Sequence, residues 1–153
     1  MKTRTLVFVM SLLLVVSVLL AGSSKKKLTT KEAMVTLSGT WVNEDSSADV
    51  GKLILKLNGT LENYKNLTDV EPFEYGEFTL TDNMIDSNGN TWIMATWTFP
   101  FSTMGTIYII HKINNYKTTM EIAYSTTNWF GEDFPAEIGP DNIKYLYRIF
   151  YLQ

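Results

Sequence analysis

No cysteine occurs in the 153 residues, and histidine occurs once. The first absence removes disulfides, thiolate metal sites and a cysteine nucleophile together. The second leaves His111, inside an apolar segment, with no second imidazole to share a metal or complete a nucleophile–base pair. Positive charge is also scarce. Lys and Arg total 13 against 16 Asp and Glu, for a net charge of -3. Lys2, Arg4, Lys25, Lys26 and Lys27 all lie near the start, so the remainder is more acidic than the total, which argues against a nucleic-acid surface. No glycine loop that could cradle a phosphate and no serine elbow is present. Past Leu37, helical periodicity never lasts longer than about two turns. These absences predict no catalytic residue, no metal and no cofactor, and point away from an enzyme.

The N-terminus carries a positive pattern. Lys2 and Arg4 precede an apolar run from Leu6 to Leu20, broken only by Ser11 and Ser17, and Ala21, Gly22, Ser23 and Ser24 follow. A basic start, an apolar centre and small residues are the parts of a secretory signal. Residues 1–24 are therefore expected to be a signal peptide or a retained N-terminal anchor, the run being short against the roughly 20 residues of a membrane span. Export to the periplasm, the cell envelope or the medium follows, with membrane contact only through this segment. Leu20-Ala21-Gly22-Ser23 is similar to the bacterial lipoprotein box, but Ser23 stands where the lipidated cysteine is needed, and a serine cannot form that thioether. Residues 25–36, polar and rich in Lys and Thr, are expected to be a linker in which Lys31–Val35 could form a helical turn.

From residue 37 to 153 the pattern changes to short apolar and aromatic runs separated by turn signals. Strands are expected at Gly39–Asn43, Lys52–Leu57, Thr60–Lys65, Glu71–Thr81, Met84–Asp86, Thr91–Phe99, Gly105–Ile113, Thr118–Ser125 and Tyr145–Leu152. Asn58-Gly59 is a strong hairpin signal, because a type I′ turn needs positive φ at both central residues. Leu53, Leu55 and Leu57 would share one face of that hairpin, with Lys52 and Lys56 on the other. Asp82-Asn83 and Ser87–Asn90 read as further turns. Within Thr91–Phe99, alternation puts Trp92, Met94, Thr96 and Thr98 on one face and Ile93, Ala95, Trp97 and Phe99 on the other. The predicted class is all-β: an eight- or nine-stranded antiparallel up-and-down barrel, with a β-sandwich as the alternative.

Two polar clusters invite chemical readings. Asp86-Ser87-Asn88-Gly89-Asn90 faintly suggests a calcium loop but lacks the further acidic ligands and the closing Glu, so a hairpin turn is expected. Glu132, Asp133, Glu137 and Asp141, beside Trp129, Phe130 and Phe134, could describe a glycosidase or a sugar-binding loop; otherwise they form a solvated loop whose aromatics plug a barrel end. The aromatic load is high, at 4 Trp, 8 Tyr and 8 Phe. An inward apolar face would either fill the interior or line a pocket, for which Trp92, Trp97, Phe99 and Tyr108 are the candidates.

Gly39-Thr40-Trp41 at the first strand of such a meander, behind a signal-like segment, resembles the lipocalin-like (calycin) proteins, small bacterial exported types in particular. That resemblance implies that Trp41 closes one barrel end and that a late basic residue, here Arg148, packs over its ring. Gly39, Trp41 and Arg148 would then form a structural lock joining first strand to last. It also implies carriage of a small apolar molecule. The alternative is a protein- or glycan-interaction module with a filled core, meeting its partner through the outer surface or the loop Asn128–Asp141.

Overall fold

The computed structural model describes residues 26–43, 49–100, 106–126, 134–135, 138 and 146–153; of residues 126 and 146–148 it describes the backbone alone. One helix, α1 (Thr30–Leu37), precedes eight strands: β1 (Gly39–Val42), β2 (Lys52–Leu55), β3 (Thr60–Tyr64), β4 (Glu74–Ile85), β5 (Thr91–Thr98), β6 (Ile107–Ile113), β7 (Thr119–Thr126) and β8 (Leu146–Leu152). Each strand pairs antiparallel with its sequence neighbour, and β8 returns to β1, so the sheet closes into a barrel. A closed sheet leaves no free edge.

Alternation decides which side chains enter the barrel. Directly opposed residues in an antiparallel ladder share a face. The rows Trp41–Leu53–Asn63, Phe78–Trp97–Ile107 and Ile93–His111–Ile122 therefore point inward together. Their apolar members form one buried cluster that extends to Phe150 of β8 and to Ala33 and Leu37 of α1. At roughly 1.5–3 kcal/mol for each large apolar side chain removed from water, this cluster is the main stabilising contribution.

The hairpin at Asn58-Gly59 forms, with a register one step different from the expected one. The Lys56 amide donates to the Thr60 carbonyl at 2.9 Å, and Gly59 has φ of 86°. Leu57 consequently sits in the turn, 63% exposed, rather than beside Leu53 and Leu55. A second difference explains the strand count. Asp82-Asn83 is not a turn: β4 continues through it, with a bulge between Leu80 and Asp82. The extra residue of a bulge bends a strand without ending it. The polar side chains that suggested a turn have other work. Asp82 pairs with Lys27 at 2.7 Å, and Asn83 Oδ1 accepts from the Leu28 amide at 2.7 Å.

The stretch expected to be a linker holds α1. Thr29 caps it: its hydroxyl accepts from the Glu32 amide at 3.2 Å, and Glu32 reaches back to the Thr29 amide at 2.8 Å. This reciprocal box satisfies two otherwise orphaned donors. Ala33 and Leu37 are fully buried against the barrel. The helix covers the end at which β1 starts, and the turns β2–β3, β4–β5 and β6–β7 lie at that same end. The connection over residues 65–73 lies at the other end, called the mouth below.

Candidate functional site

On the mouth side, Trp97 of β5 faces inward beside Phe99, their ring centroids 6.4 Å apart in an edge-to-face arrangement. Behind it lies His111 of β6, 5.6 Å away between centroids. Phe78 and Ile107, the ladder partners of Trp97, complete an apolar surround. Phe99 is held by a gap in the opposite strand. A Cβ on Gly76 would stand 2.7 Å from the Phe99 ring and 2.8 Å from the Thr98 carbonyl oxygen, so only glycine leaves room for the ring.

His111 is fully buried. Its Nδ1 lies 3.1 Å from the Ile93 carbonyl oxygen. A carbonyl only accepts, so Nδ1 carries the proton and Nε2 is left as a lone-pair acceptor. Burial pushes the imidazole down to about 4, the Ile93 hydrogen bond opposing it, so the ring is neutral at ordinary pH. Neither His111 Nε2 nor the Trp97 Nε1–H has a hydrogen-bond partner among the described residues. One unpaired acceptor and one unpaired donor thus lie on neighbouring inward rings, with Asn63 Oδ1 a further unpaired acceptor on another inward row, and each unmade hydrogen bond costs about 1–3 kcal/mol.

The four aromatic candidates divide by face. Trp97 and Phe99 are inside; Trp92 and Tyr108 are on the outer wall and do not line the interior. Trp92 Nε1 donates to Asp86 Oδ2 at 2.9 Å, and Lys112 lies 5.7 Å from its ring centroid while pairing with Glu121 at 2.9 Å. Asp86 also accepts from the Asn88 and Asn90 amides, both at 2.9 Å. Trp92 first, then Asn90 and Asn88, hold its carboxyl down to about 2 against the opposing effect of burial. The carboxylate is spent on the β4–β5 turn, where Gly89 has φ of 81°. Among the described residues no group of three or more His, Asp or Glu could hold a metal.

Tyr108 packs edge-on against Phe134, 5.3 Å between centroids. That contact places Phe134 on the outer wall rather than in a barrel end. Trp129, Phe130, Glu132, Asp133, Glu137 and Asp141 lie outside the described residues. Of the expected lock, Trp41 is fully buried and donates from Nε1 to the Leu37 carbonyl at 2.9 Å, tying β1 to α1. A Cβ on Gly39 would stand 2.7 Å from Leu152 Cδ1, so the glycine lets the last strand close over the first. The backbone of Arg148 pairs with Ile122; its side chain lies outside the described ones.

Sequence reasoning missed the inward His111–Trp97 pair and the seat that Gly76 provides. Period-two alternation from Trp97 back to Ile93, and from Ile107 on to His111, was the signal for the first. For the second, a glycine between Tyr75 and Glu77 in mid-strand was the only sign, since such a residue often marks close backbone approach. No protein-family model, no curated protein and no solved structure matches this chain.

Proposed function

We propose that this chain is an exported, non-enzymatic, lipocalin-like barrel that holds a small, largely apolar molecule in its mouth half. The observation that carries this reading is the pair of unpartnered ring nitrogens, Trp97 Nε1 and His111 Nε2, inside an apolar surround. A core meant only to pack would place apolar residues at both positions. The two rings lie 5.6 Å apart between centroids, and a ligand hydroxyl, which both accepts and donates, offers what each of them lacks. With α1 packed over one end, entry is from the mouth side in this reading, and the burial of His111 requires the rings around Trp97 to move aside. The signal-like segment over residues 1–24 supports export.

The test is native mass spectrometry of the full-length protein purified from its own host. A small bound molecule is expected, lost from both Trp97→Phe and His111→Leu at unchanged fold. A ligand-free mass, combined with no saturable quenching of tryptophan fluorescence by cis-parinaric acid, would overturn the proposal.

A further inference from the structure

The outer wall has a second concave feature, away from the interior rings. Across β3, β4 and β5, with the residue just past β2, an open groove of about 590 Å3 is lined by Lys56, Thr60, Glu62, Tyr75, Glu77 and Thr98, among others. Ladder register explains why these meet: Glu62 opposes Tyr75, and Glu77 opposes both Thr60 and Thr98. Tyr75 is 59% exposed although it stands in mid-sheet, and it makes no hydrogen bond among the described residues. The Glu62 carboxylate is fixed in place, accepting from Lys56 Nζ on one oxygen and from Tyr64 Oη at 3.1 Å on the other. Glu77 has no ion-pair partner among the described residues.

We infer that this groove binds a neutral saccharide chain. An exposed aromatic ring offers a flat apolar face, as one face of a pyranose ring does, and the two pack without a charge between them. Carboxylates accept from sugar hydroxyls and the Lys56 ammonium donates to them, so a ring of hydroxyls finds both partners around Tyr75. Two carboxylates against one ammonium make the groove net negative, which disfavours anions. The volume falls within the range of small-ligand sites, roughly 300–1,000 Å3. Glu62, held by two groups on neighbouring positions of its own sheet, is preorganised, which lowers the ordering cost of binding. The groove shares Gly76 with the seat of Phe99 but takes its ligand on the outer face, so the failure of either reading leaves the other standing.

The experiment is isothermal titration of the full-length chain with cellohexaose, chitohexaose and maltohexaose, and with hexalysine as the cationic comparison. Saturable binding of at least one saccharide is expected, weakened about tenfold or more by Tyr75→Ala and held within about threefold by Tyr75→Phe. Glu77→Gln should weaken it by a smaller factor. Both tyrosine variants alter an exposed side chain, so an unchanged thermal midpoint separates lost binding from lost fold. Three results would each overturn the inference: no saccharide binding at millimolar concentration, binding that survives Tyr75→Ala, or binding of hexalysine alone.

Discussion

His111 couples the barrel's stability to pH. Its folded value of about 4 lies below the ordinary 6.5. On acidification the unfolded chain therefore takes up a proton first. Stability is complete above pH 6.5 and is lost as pH falls from 6.5 toward 4. As the only histidine, it is the one side chain whose ordinary value falls between about 5 and 7, glutamates entering only at the acid end of the window. Between pH 7 and pH 4.5 the loss should be about 2 kcal/mol by proton linkage. Asp86, depressed to about 2 from 3.8, acts lower: its contribution holds above 3.8 and fades only below it. Urea unfolding at the two pH values checks this. The wild type should lose its midpoint steeply, and His111→Leu should lose little over the same interval. An equal loss in both would show that the imidazole does not titrate on unfolding.

At the scale of the element, Gly76 in β4 and Phe99 after β5 act as one unit. An added Cβ would meet both the Phe99 ring and the Thr98 backbone, and the backbone oxygen cannot swing away as a side-chain tip can. Gly76→Ala should therefore destabilise by about 1–3 kcal/mol, the usual cost of overpacking. Combining it with Phe99→Ala tests the cause by thermal denaturation, because relief of the ring clash should make the double variant more stable than the sum of the singles predicts. Much of the strand layout was legible, since the alternation in Thr91–Phe99 separates Ile93, Ala95 and Trp97 from their outward neighbours without help from anything distant. Asp82-Asn83 misled because two adjacent polar residues imitate a turn, and their partners Lys27 and Leu28 lie 55 positions away. α1 was legible only as a helical turn over Lys31–Val35, because only Ala33, Thr36 and Leu37 of its eight residues are buried, too few to show a period. The Thr29–Glu32 box was the sign available. For the candidate site, Trp97 and Phe99 could be placed on one face, whereas the hydrogen bond that fixes the His111 tautomer depends on Ile93 of another strand.

Closure of the barrel is the property of the whole molecule, and it rests on a short seam. β1 meets β8 through two residue pairs, Trp41 with Leu152 and Val42 with Tyr151, while β4 and β5 share eight. The Gln153 amide reinforces the seam by donating to the Thr40 carbonyl, while the Leu152 amide donates to that of Thr118 beside β7, both at 2.9 Å. Leu152 also lies against Gly39 beside the Trp41 indole. Removing residues 151–153 would take away both seam pairs and the Gln153 bond together, leaving β1 and β8 as two open edges. Exposed edges recruit other strands. The truncated chain should keep its far-UV signature, since β2–β7 retain their ladders, yet lose hydrogen-exchange protection selectively in β1 and β8 and self-associate in sedimentation. Trp41 should gain fluorescence quenching by acrylamide as its cover of Leu152 disappears. If β1 amides stayed protected and the chain stayed monomeric, the β1–β2 ladder together with the Trp41–Leu37 hydrogen bond would be sufficient to hold the first strand, and the seam would be a consequence of closure rather than its cause.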